Sequence, residues 1–428
     1  MVGLGTVPSA RNPRMQVIVF EDAGVERLWP LTTLRPACDL TIGAQTLCQT
    51  LGHVGSVHRV VRTPLARHLA AIADSRVTLW GVHVMPPAAE PLMSRHGALT
   101  VIVNARVAPS RPTVVAIRSL VEAGHRGIVF DDDTIAAAIL HRTADGAGAD
   151  DAALRHLIDT GSTAAIASLG LDPLDCRLDL IHEPHDVVTT HEWAIAGHLA
   201  MLIDGGRYVE VRPGLFLAPD VAIHEPIVVR RGPVVVESGA TIGPFVCFDG
   251  PVFIGAGARA NPHAWIREAT VLGTNCRAGG EIEASVLEPF SNKAHDGFLG
   301  HSHLGSWVNL AAGTISSNLK VSYGTIRLRH PTHTIETGRQ FLGALIGDLA
   351  KTSINTSLPC GARIGAAATV GGTVADVVPA FHNQLVGGPQ GSTTTAPQAA
   401  SLLERMMARR GLAMLPADRE LLEAVCSE

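Results

Sequence analysis

Beyond Arg207 an aliphatic residue is followed by glycine at Ile242-Gly243, Ile254-Gly255, Leu272-Gly273, Leu304-Gly305, Ile346-Gly347, Ile364-Gly365 and Val370-Gly371. The steps 254−242, 272−254, 346−304, 364−346 and 370−364 are 12, 18, 42, 18 and 6, all multiples of six. A period of six marks a parallel β-helix, in which six residues make one short flat face and three faces make a coil. The aliphatic residue points inward and stacks on its equivalents above and below. Gly or Asn nearby is expected to turn the corners, where φ > 0 is often required. The step from 272 to 304 is 32 residues, so an irregular coil or loop is expected there. Such hexapeptide coils usually run left-handed, against the common crossover rule. The composition agrees: 43 glycines and only 4% aromatic residues suit tight coils filled by small aliphatic side chains.

Residues 15–205 follow a different rule. QVIVF (16–20), SVHRVV (56–61), LTVIVNARV (99–107) and GIVF (127–130) are short, apolar and β-branched. Helix-compatible stretches lie between and after them at Ala44–Leu51, Pro64–Ala73, Thr134–His141 and Asp150–Thr160, and His191–Leu202 reads as a closing helix. Alternating elements predict an α/β layer with a largely parallel sheet. The predicted organisation is a flexible extension over 1–14, the α/β domain over 15–205, the β-helix over 206–388, and a linker with C-terminal helices over 389–428. Within the last part PQGSTTT (389–395) reads as linker, and 396–410 and 416–425 as two amphipathic helices that cap the solenoid or touch another subunit.

The net charge of −5, with dispersed Lys and Arg, excludes nucleic acid as an expected partner. Seven cysteines without a CxxC pair are expected to be reduced thiols. With no long uncharged apolar run and no secretory signal, the expectation is a cytoplasmic protein without membrane association.

Residues 290–319 read FSNKAHDGFLGHSHLGSWVNLAAGTISSNL. This run resembles the catalytic stretch of the bifunctional N-acetylglucosamine-1-phosphate uridyltransferase/glucosamine-1-phosphate acetyltransferase family. The likeness is strongest to its divergent bacterial members, and FEDAGVERLWPLTTLRPACDLTIGAQTL (20–47) is similar to their opening. The resemblance spans 15–388 and is most specific at 291–320. It implies a nucleotidyltransferase-like, Rossmann-like α/β domain before a left-handed β-helix that transfers acetyl from acetyl-CoA to an amino sugar 1-phosphate. It also implies a homotrimer with coenzyme grooves between neighbouring subunits. His295 falls on the family's catalytic histidine, and an imidazole, largely neutral at pH 7, can take the proton of an attacking amine. Asn318 matches the asparagine that positions the sugar, and Ser353 a serine near the thioester that could support the oxyanion. Lys293 is a candidate for substrate charge, beside Arg267, Lys320 and Arg327. Phe298 replaces the family's tyrosine on the sugar phosphate. Glu283 falls where a substrate lysine is expected.

Nucleotidyl transfer needs a phosphate cradle and Mg²⁺ on oxygen ligands. The usual glycine-rich signature is replaced by Asp22-Ala23-Gly24 and Leu34-Arg35-Pro36. Arg35 could fork a phosphate, Asp39 could orient it, and Asn104 is a further candidate substrate contact. Arg106 and His191 stand where the two metal ligands are expected, which sets the Mg²⁺ expectation against the sequence. Asp131, Asp132 and Asp133 read as a solvated turn. Two rivals remain: a zinc hydratase like the hexapeptide carbonic anhydrases, using His295, His301 and His303, and a non-catalytic trimeric scaffold that binds a sugar nucleotide.

Overall fold

The computed structural model describes residues 15–72, 99–143, 145–329, 333–387 and 390–427. The extension over 1–14 and Ala73 lie outside them. In the N-terminal part β1 (Gln16–Phe20), β2 (Ser56–Val60) and β3 (Leu99–Asn104) pair in parallel, and β4 (Gly127–Asp131) and β5 (Thr134–His141) complete the sheet in the order β2-β1-β3-β5-β4. β5 runs antiparallel to both β3 and β4. The segment TIAAAILH is therefore a strand where helix is expected, and the sheet is mixed. Its alanines suit a helix locally, but Ala136 to Leu140 are buried on both faces, and the Asp131–Asp133 turn, with Asp132 at φ 50°, folds it back on β4. Tertiary burial overrides propensity here.

The helices are α1 (Leu47–Leu51), α2 (Thr63–Ala71), α3 (Arg111–Ala123), α4 (Ala149–Thr160), α5 (Ala164–Ala167) and α6 (Pro184–Asp204). Thr46 caps α1 in a reciprocal box with Gln49, and Ser110 caps α3. α6 starts seven residues before the predicted closing helix (191−184), because Pro184 fits its first turn and Glu183 and Asp186 cap it.

From Val209 the chain winds into three sheets of a β-helix. The first face runs through Val234–Val236, Val252–Ile254, Thr270–Leu272, Val286–Leu287, His303–Leu304, Leu345–Ile346, Arg363–Ile364 and Val377–Val378. The second carries Arg259–Ala260, Arg277–Ala278, Asn292–Lys293, Asn309, Lys351–Thr352 and Thr369–Val370. The third carries Trp265–Ile266, Glu281–Glu283, Phe298–Gly300 and, in a separate pair, Ile315–Ser316 with Ser357–Leu358. The aliphatic positions of the period all lie inside, with Ile242, Ile254, Leu272, Leu304, Ile346, Ile364 and Val370 at most 1% exposed.

The irregular step of 32 resolves into two short coils, 15 residues from Leu272 to Leu287 and 17 from Leu287 to Leu304. The step of 42 is one coil of 18 plus 24 residues, which form the excursion carrying the hairpin Arg327–Arg329/Thr334–Glu336. The glycines of the aliphatic-Gly pairs serve packing and not positive φ. A Cβ on Gly255 would stand 2.8 Å from the backbone of the next coil. The positive-φ corner positions between the first and second faces include Phe290, Trp307, Leu349, Ala367 and Phe381, which is costly for bulky residues. That cost is offset by burial beneath two C-terminal helices, α7 (Ala396–Ala408) and α8 (Pro416–Cys426), with Phe290 and Trp307 stacked at 4.3 Å. The predicted linker contributes a strand, Ser392–Thr393, antiparallel to His382–Asn383.

The N-terminal domain packs on the first face. Its core is continuous with Ile326, Leu328, Leu342 and Leu345 of the β-helix. Among the described residues no helix is long and apolar enough to cross a membrane.

Candidate active site

Lys293 stands in register with Ala278, an inward position of the coil. Its side chain is therefore drawn into the β-helix, 1% exposed. An ammonium there needs acceptors, and Nζ donates to the carbonyls of Gly279 (3.0 Å), His295 (2.6 Å) and Asp296 (3.2 Å). Burial lowers its pKa to about 8 against the pull of Asp296. Lys293 thus holds the corner that presents His295 and does not reach outward as a substrate contact. His295 itself is exposed.

His295 lines a groove of ≈ 570 Å³ between the second face and α7. The floor is the outward column Arg277, Asn292, Asn309 and Lys351, and the far wall carries Met406, Arg409 and Arg410. Arg410 donates to Asn292 Oδ1 at 2.7 Å, and Asn292 donates to Asn309 Oδ1 at 3.3 Å. Burial drops the Lys351 pKa to about 7, and Nε of Arg277 is buried without a partner. The described lining holds three arginines, the partly protonated Lys351 and no carboxylate, so its field favours a polyanion. Arg277, Asn309, Lys351, Arg409 and Arg410 were not legible as site residues. For Arg277, Asn309 and Lys351 the signal was positional, since outward residues one coil apart share a column, whereas Arg409 and Arg410 follow α7 and carried none.

Ser353 follows Lys351–Thr352 at the same column of corners as His295, two coils on, and its hydroxyl faces Thr356 Oγ1 at 3.4 Å. Asn318 belongs to the other end of the third face, where Nδ2 lies 2.9 Å from His301 Nδ1. His301 stacks on Phe341, and burial and the nearby Arg339 lower its pKa to about 4. Phe298 begins the strand that separates these two corners, its ring against Gly300. One chain therefore brings His295 and Ser353 to one edge and Asn318 to the next. Glu283 and Arg267 pair at 3.0 Å, Arg327 pairs with Glu336, and Lys320 bonds the Thr325 carbonyl. The three histidines of the zinc reading diverge: His295 is at one corner, His301 at the next, and His303 is buried 3.3 Å from Glu288.

Arg35 and Asp39 do not meet in a phosphate site. Arg35 is 1% exposed and crosses into the β-helix, where it binds Asp348 (2.6 Å), Glu288 (3.1 Å) and Ser306 (2.7 Å). Burial would raise the Glu288 pKa, but Arg35 and His303 pull it down to about 2. Glu288 also accepts from Thr41 N–H and Oγ1. Asp39 pairs with Arg59 at 3.1 Å. Asn104 is fully buried and donates to Asp22 and the Ile135 carbonyl. Arg106 forks Asp22 at 2.8 and 2.6 Å. Gly24 makes room for it, since a Cβ there would sit 2.4 Å from the guanidinium. His191 accepts from Gly43 N–H at Nδ1 (3.0 Å) and contacts the Ala269 carbonyl through Nε2 (2.6 Å), tying the domain to the β-helix. Among the described residues Cys38, Asp39 and Cys48 could hold an ion, but Arg59 lies on both Asp39 and Cys48 Sγ (3.3 Å).

Residues 17–206 match the family described as sugar nucleotidyl transferase. The chain is 30% identical over 192 residues to a bifunctional sugar-1-phosphate nucleotidylyltransferase/acetyltransferase of Sulfurisphaera tokodaii, covering 44% of each. It is 41% identical over 146 residues to the bifunctional protein GlmU of Methanococcus aeolicus, covering 34% of this chain and 35% of the relative. The matched region thus spans less than half of these relatives. Among solved structures, the acetyltransferase domain of PglB from Neisseria gonorrhoeae aligns at 9% identity and TM-score 0.18, covering 71% of this chain and 90% of that one.

Proposed function

We propose that this chain, a divergent relative of the bifunctional sugar-1-phosphate nucleotidylyltransferase/acetyltransferases, transfers acetyl from acetyl-CoA to an amino sugar 1-phosphate at the His295 groove. The carrying observation is an exposed imidazole at the edge of a groove with three arginines, Lys351 and no carboxylate in its described lining. In this reading the acceptor amine attacks the thioester carbonyl and His295 takes its proton. The tetrahedral intermediate then expels the CoA thiolate, which is protonated in turn. Lys351, Arg277, Arg409 and Arg410 neutralise phosphate groups. Ser353 supports the oxyanion and Asn318 orients the acceptor. Because Asn318 and His295 sit at different corners of one chain, the complete site needs a second subunit, which supports a homotrimer; a cytoplasmic location is part of the same proposal.

In the N-terminal domain Arg106 and His191, at the two positions where metal ligands are expected, do not fit Mg²⁺. A guanidinium already forks Asp22, and His191 is spent on backbone groups. Nucleotidyl transfer to a sugar 1-phosphate by this domain, which its family match supports, therefore needs oxygen ligands for Mg²⁺ at other positions, and a scaffold that binds a sugar nucleotide is the alternative reading.

The test is CoA-thiol release from acetyl-CoA with glucosamine 1-phosphate. His295→Ala is expected to lower acceptor-dependent release by about 10²-fold or more. Absence of release with every amino sugar phosphate tried would sink the acetyltransferase reading. Lys293→Met should lower kcat by about tenfold or more with little change in KM, because it loosens the corner and leaves the acceptor groove intact. An unchanged kcat would remove the positioning role.

A further inference from the structure

Arg363 lies on the first face of the β-helix and is 3% exposed, yet its Nε and Nη2 have no hydrogen-bond partner. Buried guanidinium N–H groups are nearly always satisfied, and leaving them unmade is costly. The side chain lines a cavity of ≈ 370 Å³ at the seam between the two domains. Trp29 of the N-terminal domain stands 5.5 Å from its carbon centre. Ile335, Val377 and Pro379 form the apolar wall. Nε and Nη2 are the side-on pair with which arginine forks an oxyanion.

We propose that this seam cavity binds a small monoanionic carboxylate carried on an apolar or aromatic body, with the carboxylate on Nε and Nη2 of Arg363 and the body beside Trp29. Two carboxylates, Glu26 and Glu183, also line the cavity, and Glu183 is engaged by Arg27 through Nε at 3.0 Å. Arg27 and Arg363 balance their charge, so a dianion such as a phosphate monoester is disfavoured more strongly than a single negative charge. The site is separate from the His295 groove, which shares none of these lining residues. Its walls come from both domains, so an occupant stabilises the seam.

The probe is phenylacetate titrated into the full chain by calorimetry, with benzyl alcohol and phenyl phosphate as comparison arms. Phenylacetate should bind saturably, one per chain, at least tenfold tighter than either comparison compound. Arg363→Met should weaken it at least tenfold while the Tm of the free protein stays level or rises, because an unsatisfied buried cation is removed. Arg363→Lys keeps the charge but loses the fork, and should weaken phenylacetate at least fivefold. Equal affinity in both variants, or no saturable binding of phenylacetate, overturns the site. Preference for phenyl phosphate overturns the carboxylate assignment.

Discussion

Arg35→Ala is expected to lower the unfolding free energy by about 3–5 kcal/mol, the cost typical of removing one partner from a buried ion network. The guanidinium is shared by Asp348 and Glu288, both 1% exposed, and by the Ser306 hydroxyl. Its loss leaves two carboxylates in an interior where neither can be hydrated. The consequence is not local, because Arg35 is on the N-terminal domain and its partners Glu288, Ser306 and Asp348 are on three successive coils of the β-helix. Chemical denaturation followed by the fluorescence of Trp29 and Trp307 would measure it. Adding Asp348→Asn and Glu288→Gln should recover part of the loss, since the uncompensated charges are then gone. A loss below about 1 kcal/mol for Arg35→Ala would show that this network does not hold the domains together.

Stability is expected to fall as pH drops from about 6.5 toward 4, driven by His191 and His198. Burial lowers the His191 pKa to about 4 and the His198 pKa to about 3, from the ordinary value of 6.5. A histidine whose folded pKa is depressed is favoured neutral in the fold. Its contribution is complete above the unfolded pKa and is lost as pH falls toward the folded one. By linkage the shift for His191 corresponds to about 3 kcal/mol, and that for His198 to somewhat more. The geometry accounts for the direction. His191 Nδ1 accepts from the Gly43 amide and His198 Nδ1 from the Ala44 amide, so protonation would set N–H against N–H. Glu288, held at about 2, adds to the decline only below its ordinary range. A Tm profile between pH 7.5 and 4.5 would test this, with His191→Gln as the comparison. That variant should be less stable than native at pH 7.5 and show a flatter profile. A native profile flat to pH 4.5 would contradict the burial argument.

The β-helix was legible because its constraint is local and repeated: an inward aliphatic residue every sixth position is demanded by stacking alone, whatever the domain beside it. The resemblance at 291–320 likewise pointed to His295 and to the chemistry proposed for it. What the sequence could not show depended on distance in the chain. TIAAAILH became a strand because a turn and two covered faces demanded it. Lys293 turned inward because its register partner is Ala278. Arg35 read as a phosphate ligand because cation and neighbouring acid are all a linear reading offers, whereas its partners are 253 and 313 positions away (288−35 and 348−35). The same holds for Arg363, whose Nε and Nη2 are left buried without acceptors where the two domains pack. Periodic burial is written in the chain, but the pairing of charges is decided by which surfaces meet.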